Sequence, residues 1–196
     1  MLEIISPEQF TTSLWKNGKG KTTELAISEN GTIDSFDWRL SIATVSDDGV
    51  FSNFSGLARN LILIDGNGIE LTHTDSVLNK NTEDRLQQLL SFATFDGGSS
   101  TYGKLISGTI TDFNLMHNPE KLSANVVTSY LTKTMALKAC DICFIYPLIN
   151  NAELTTTGKD TILIPAGLLL KLTDIQPASY EVSGEQLIVI HLTDIN

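Results

Sequence analysis

Leu61-Ile62-Leu63-Ile64-Asp65-Gly66-Asn67-Gly68-Ile69-Glu70-Leu71 reads as a strand, a tight turn and a second strand. The apolar run is short and is closed by turn residues, which marks β structure. The pattern returns at Phe144-Ile145-Tyr146-Pro147-Leu148-Ile149-Asn150-Asn151-Ala152-Glu153-Leu154, and two such halves indicate a duplicated barrel. Outward from these stretches, similar runs occupy 38–45, 108–116, 124–132, 161–165, 168–172 and 186–192. Turn punctuation separates the runs at Asp47-Asp48-Gly49, Gly97-Gly98 and Ser183-Gly184, at spacings typical of a β-sandwich or barrel. The fold class is therefore all-β with little helix. Only Thr82 to Phe92 shows helical spacing, with Leu86, Leu89 and Leu90 on one face and Glu83, Asp84 and Gln87 opposite, and it is also short enough to be a strand. No Pro-, Gly- or Ser-rich linker intervenes, so the expectation is one continuous body over 1–196, with halves of approximately 1–117 and 118–196.

The 196 residues suffice for a sizeable core without metal or disulfide staples. A net charge of −10 argues against nucleic acid and anionic membrane as partners, because phosphate binding needs clustered Lys and Arg. Met1-Leu2-Glu3-Ile4-Ile5-Ser6-Pro7 has no basic n-region, and no run approaches the roughly 20 apolar residues of a membrane span. The expectation is a soluble, cytoplasmic protein.

Cys140 and Cys143 form a C-x-x-C, but Ala139-Cys140-Asp141-Ile142-Cys143-Phe144-Ile145-Tyr146 has the composition of a buried strand. Positions three apart in a strand point to opposite faces, so the thiols are expected not to meet. Gly20-Lys21-Thr22 lacks the earlier glycine of a phosphate-binding loop, since Trp15 stands there, and Leu25-Ala26-Ile27-Ser28 continues as a strand. Gly66-Asn67-Gly68 lacks a third glycine, Leu71 occupying its place, and it opens a hairpin. No nucleophile elbow occurs around Ser55-Gly56.

The second strand pair continues into Gly158-Lys159-Asp160-Thr161-Ile162-Leu163-Ile164-Pro165-Ala166-Gly167, which looks like the second half of a cupin motif. Cupins commonly hold a metal through a His-x-His, a Glu and a distant His. Here His73, His117 and His191 are isolated in sequence, and Leu168-Leu169-Leu170 fills the stretch where the last ligand belongs. No metal and no other cofactor is expected, and each histidine reads as a turn or sheet-surface residue.

Both tryptophans and two of the three arginines fall in the first third of this acidic chain. Indole area combined with forked guanidinium donors suits a small polar or anionic ligand. In extended geometry Trp38, Leu40 and Ile42 face one way and Arg39, Ser41 and Ala43 the other. Two readings stay open. Either the bulky face fills the core and Arg39 points into a cavity lined by the small polar face, or Arg39 faces solvent or pairs with Asp37 or Asp48. Arg59 carries the same ambiguity.

Taken in order, Trp15-Lys16-Asn17-Gly18-Lys19-Gly20, Thr22, Glu24, Phe36 with Trp38-Arg39, Ser41 and Ala43, Asp48-Gly49 with Phe51-Ser52, Phe54, Gly56 and Arg59, Gly66 and Gly68, and Asp112-Phe113-Asn114 with Met116 resemble the HutD/Ves family. The resemblance covers about residues 10 to 117. It implies a metal-free, RmlC-like bicupin barrel associated with bacterial histidine utilisation. It further implies a small-ligand binding or regulatory role toward a carboxylate metabolite such as urocanate or a formylated glutamate. Carried over by position, the ligand-binding candidates are Trp15, Lys16, Asn17, Arg39, Ser41, Arg59 and Asn114. Lys16, Arg39 and Arg59 would hold carboxylates, Trp15 would cover the flat part of the ligand, and Asn17, Ser41 and Asn114 would orient it. Three positions depart from the family: Lys19 breaks the glycine run, Thr23 replaces an arginine, and His117-Asn118 replaces a basic pair.

Two rivals stand beside this reading. One is a metal-free isomerase or hydrolase with Lys16 or His117 as acid/base and Arg39 or Arg59 as electrostatic stabiliser. The other is a protein-interaction module, in which Trp15 and Arg39 are buried structural residues with no cavity beside them. Homodimer formation stays open.

Overall fold

Period-two alternation and β-branched runs turn nearly the whole chain into strands. The computed structural model describes residues 1–15, 20–75, 80–156 and 161–195. Strand β1 (Leu2–Ile5) is followed by a single 3-10 turn, Pro7–Gln9. Next come β2 (Thr11–Leu14), β3 (Gly20–Ile27), β4 (Trp38–Val45), β5 (Gly49–Val50), β6 (Ala58–Asp65), β7 (Ile69–Asp75), β8 (Lys80–Leu86), β9 (Phe92–Asp96), β10 (Ser100–Leu105) and β11 (Ile110–His117). The remainder comprises β12 (Leu122–Ser129), β13 (Lys133–Ala136), β14 (Cys140–Pro147), β15 (Ala152–Thr156), β16 (Thr161–Ile164), β17 (Leu169–Ile175), β18 (Tyr180–Gly184) and β19 (Leu187–Asp194). Among the described residues no helix is long and apolar enough to cross a membrane.

Two compact units form, one of Thr11–Pro119 and one of Met1–Phe10 with Glu120–Asn196. In the first, a six-stranded sheet β2-β3-β4-β11-β6-β9 accompanies a four-stranded sheet β5-β10-β7-β8. The second has β1-β17-β14-β19-β12 and β13-β18-β15-β16. Adding eight to each label converts β4-β11-β6-β9 into β12-β19-β14-β17 and β5-β10-β7-β8 into β13-β18-β15-β16. The duplication expected from the two strand-turn-strand stretches is thus written into the strand order. Those stretches are β6 to β7 and β14 to β15, and each passes from the larger sheet to the smaller instead of closing a hairpin. At the first crossing Gly66 has φ +94°, and a Cβ there would lie 2.6 Å from Thr109 O, so only glycine fits the corner.

The 82–92 segment is a strand and a turn. Glu83 and Asp84 pair in register with Thr72 and Leu71 of β7 as part of β8. Leu90 is buried at φ +67°, a backbone conformation that an α-helix does not contain. The leucine spacing that imitates a helix therefore comes from the inward end of β8 and one turn residue.

The second unit is filled by apolar side chains: Cys143, Ile145, Leu154, Ile164, Leu170, Leu172, Val182, Leu187 and Val189 share one buried cluster. Leu170, in the stretch where a metal-binding cupin places its last ligand, is part of that filling. Each such side chain contributes on the order of 1.5–3 kcal/mol by burial. Cys140 joins the same buried cluster as Cys143, contrary to the expectation that they point apart. Asp141 lies between Cys140, which pairs with Ile175, and Ile142, which pairs with Thr173. It therefore faces Asp174, whose φ of +57° breaks the regular pleat. The neighbouring Cys140 thiol and burial together push the Cys143 thiol well up.

Candidate functional site

Cross-strand register places one row of the first unit after another on a common face. Arg39, Ser41 and Ala43 of β4 stand opposite Met116, Asn114 and Asp112 of β11. These in turn stand opposite Arg59, Leu61 and Leu63 of β6. Phe95 of β9 pairs with Arg59, and Glu24 of β3 pairs with Ser41. Val45, Leu61, Leu63, Ile69 and Leu71 form the apolar cluster of this unit. The Trp38 face is buried as the sequence reading expects, with Trp38, Leu40, Ile62, Phe113 and Leu115 in the core, and the apolar cluster beside the Arg39 row covers the other face as well.

A cavity of about 700 Å³ opens over this face, lined among others by Trp15, Arg39, Ser41, Phe51, Arg59 and Asn114. Its size is that of a small-molecule site. Trp15, Arg39, Ser41, Arg59 and Asn114, all named from sequence, are brought together here. Lys16 and Asn17 lie outside the described residues. The Trp15 ring is fixed by its Nε1–H, which donates to Thr22 Oγ1 at 2.8 Å. The neighbouring Gly20 leaves room for the ring, since a Cβ there would stand 2.9 Å from Trp15 Cε3.

Arg59 is the most constrained group. Its Nε and Nη2 both donate to Asn114 Oδ1, at 2.9 and 2.7 Å. Its guanidinium carbon lies 4.9 Å from the Phe51 ring centre and 5.5 Å from that of Phe95. Two aromatic faces and one amide thus hold the cation in place. Asn114 Nδ2 donates in turn to Asp112 Oδ1, which orients the amide. Burial lowers the Arg59 pKa to about 10, with Asp112 acting to raise it. Burial raises the Asp112 pKa to about 6, while Arg59 and the Asn114 hydrogen bond pull it down.

Arg39 donates from Nε to Glu24 Oε2 at 2.6 Å. Of the two open readings, the cavity-facing one matches the structure, and the carboxylate partner is Glu24 instead of Asp37 or Asp48. Glu24, Asp112, Phe51 and Phe95 are the participants that sequence reasoning missed. All but Phe95 belong to the motifs quoted above, and the two-residue spacing of Asp112 and Asn114 is the signal that would have joined them.

All three histidines are buried in strands, not placed in turns or on the sheet surface as expected. His73 Nδ1 meets Thr101 Oγ1 at 2.9 Å and Nε2 meets Asp84 Oδ2 at 3.2 Å, while its ring lies 4.3 Å from that of Phe95. Burial lowers its pKa. His117 is not among the residues that line the cavity.

The same eight-strand order repeated in each unit defines the class: the chain is a bicupin. Its similarity to a solved Lactobacillus farciminis oxalate decarboxylase, at TM-score 0.65 and 10% identity over 98% of this chain and 88% of that one, shows that fold and nothing more. A family model described as HutD matches residues 7–189, and the chain belongs to that family. It is similar to an uncharacterized 21.2 kDa protein in the hutC 3' region of Pseudomonas putida, 28% identical over 81% of this chain and 80% of that protein. Similarity to Protein Ves of Escherichia fergusonii is 34% identity over 64% of this chain, and the match spans 62% of Ves. Among solved structures it resembles HutD from Pseudomonas fluorescens SBW25 in a formate condition, at TM-score 0.81 and 23% identity with all of both chains covered.

Proposed function

We propose that the chain binds a small carboxylate-bearing metabolite in the cavity of its first unit and leaves it unchanged, serving a regulatory role in the cytoplasm connected with histidine breakdown. One observation carries this reading: Arg59 is a buried cation whose Nε and Nη2 are tied to Asn114 while Nη1 has no hydrogen-bond partner among the described residues. A guanidinium so held loses little freedom on meeting a carboxylate, and charged hydrogen bonds in a dry site are strong. The Trp15 ring on the cavity wall offers a flat surface for the remainder of the ligand. The formate condition of the HutD structure and the hutC-region location of the Pseudomonas putida protein support the ligand class and the pathway. A cavity beside Trp15 and Arg39 weighs against the pure interaction module.

Calorimetric titration with urocanate, formyl- and formimino-glutamate, histidine and formate, followed by product analysis, tests the reading. One of these compounds is expected to bind and be recovered intact, and Arg59→Ala to weaken it by about 1.5–3 kcal/mol. Conversion of the compound would replace the regulatory reading with an enzymatic one, and absence of binding would remove the pocket assignment.

A further inference from the structure

Asp112 is completely buried, beside the arginine that the proposed function uses as its anchor. Its Oδ1 accepts from Asn114, but its Oδ2 has no hydrogen-bond partner among the described residues, and its row neighbours Ala43 and Leu63 have no polar side chain to offer. A carboxylate in such a place is tolerable only because a cation stands nearby.

The charged groups on the elements around it are few. β6 contributes Arg59 and, at its exposed end, Asp65; β4 contributes Arg39; and β3 contributes Glu24 and the exposed Lys21. Behind Phe95 stand His73 of β7 and its partner Asp84 of β8, and the cavity mouth carries Asp47 and Asp48. Arg39 is balanced by Glu24 and Arg59 by Asp112, so among the described residues the cavity floor has no net charge. An incoming carboxylate would therefore leave one buried negative charge in excess, with two anions sharing Arg59.

We infer that carboxylate binding in this cavity takes up one proton, and that the proton goes to Asp112. The balance is simple: the ligand anion and a proton from solvent enter together, the ligand pairs with Arg59, and Asp112 becomes neutral at Oδ2, the oxygen that has no donor. The site then accepts the equivalent of the free acid. This rests on the binding role proposed above. The raised pKa of Asp112 supports it, since an acid poised at about 6 needs only a second nearby anion to hold its proton at neutral pH.

Formate is the probe, titrated calorimetrically near pH 7.5 in phosphate and in Tris and near pH 5 in piperazine and in MES, each pair differing in ionisation heat. The difference between buffers gives the protons taken up. Near pH 7.5 roughly one proton per formate is expected and near pH 5 almost none, with the apparent Kd rising about tenfold per pH unit above about 6. Asp112→Asn should bind formate with no uptake and little pH dependence, whereas Asp47→Asn should keep the uptake. Identical heats in the two buffers at pH 7.5, or loss of uptake in Asp47→Asn, overturns the inference and leaves the binding role standing. No formate binding at any pH removes the binding role and this inference with it. If Asp112→Asn does not fold, infrared difference spectra of wild-type protein with isotope-labelled aspartate decide the matter: a carboxylic-acid band must grow as formate is added, and its absence refutes the coupling.

Discussion

Arg59 spends two of its donors on a single oxygen, Oδ1 of Asn114, so that the amide and the guanidinium fix each other's orientation. The strands that carry them are neighbours in the six-stranded sheet. Removing the arginine should therefore do more than weaken a ligand. Arg59→Met leaves Asn114 Oδ1 and the Asp112 carboxylate buried without their cation, and a loss of about 3–5 kcal/mol in stability is expected from urea unfolding at pH 7.5. The same change should push the Asp112 pKa above about 6, since Arg59 is the charge that holds it down.

Glu24 neutralises Arg39 from an edge-ward strand and is partly exposed. Glu24→Gln should cost at most about 1 kcal/mol of stability. It also releases a positive charge toward the cavity, so formate affinity should rise roughly three- to tenfold, and calorimetry at low salt is the check.

Gly103 and Gly49 face each other across β10 and β5. A Cβ at Gly103 would collide with the Phe51 ring that covers Arg59, whereas nothing lies within 4 Å of a Cβ at Gly49. Gly103→Ala is expected to lose about 1–3 kcal/mol and to weaken formate binding as Phe51 shifts. Gly49→Ala should stay within about 0.5 kcal/mol of wild type in the same urea titration.

Stability against pH should show two opposed contributions. Burial lowers the pKa of His73, His117 and His191, so the stability they provide is present above the ordinary histidine value and is lost as pH falls. Asp112 has a folded pKa above its ordinary value of 3.8, so its contribution is present below 3.8 and fades as pH rises through about 6; a shift of that size corresponds to about 3 kcal/mol. Asp112→Asn should steepen the acid-side loss between pH 6 and 4, and His117→Asn should make it shallower. Parallel slopes in all three proteins would contradict both assignments.

Most strands were legible because period-two alternation is a local property, and the repeated strand-turn-strand stretch betrayed the duplication. What failed was set by distant partners. Leu86 and Leu90 lie on the same side only because a strand end and a left-handed turn happen to point inward. Glu24 reaches Arg39 because β3 shifts register between Glu24 and Ala26, which no spacing rule reveals. Cys140 shares a cluster with Cys143 where the ladder to β17 skips Asp141 and Asp174 has a positive φ, and Asp174 lies on another strand. In the site, the large and cationic residues stood out, while Glu24 and Asp112 entered only as parts of the quoted motifs and were given no role. Asp112 is buried because both faces of this sheet are covered, which the alternation within one strand does not reveal.

Strand β1 pairs with β17, Leu2 meeting Leu172, so during synthesis β1 emerges long before the strand that completes its ladder. The unit that holds the cavity has all its strands in one uninterrupted run, 11–119, and can close during synthesis while β1 trails unpaired. Biosynthesis thus completes the cavity-bearing unit before the apolar-filled one. A circular permutant that carries residues 1–10 after the present end of the chain would make both units contiguous and spare β1 its wait.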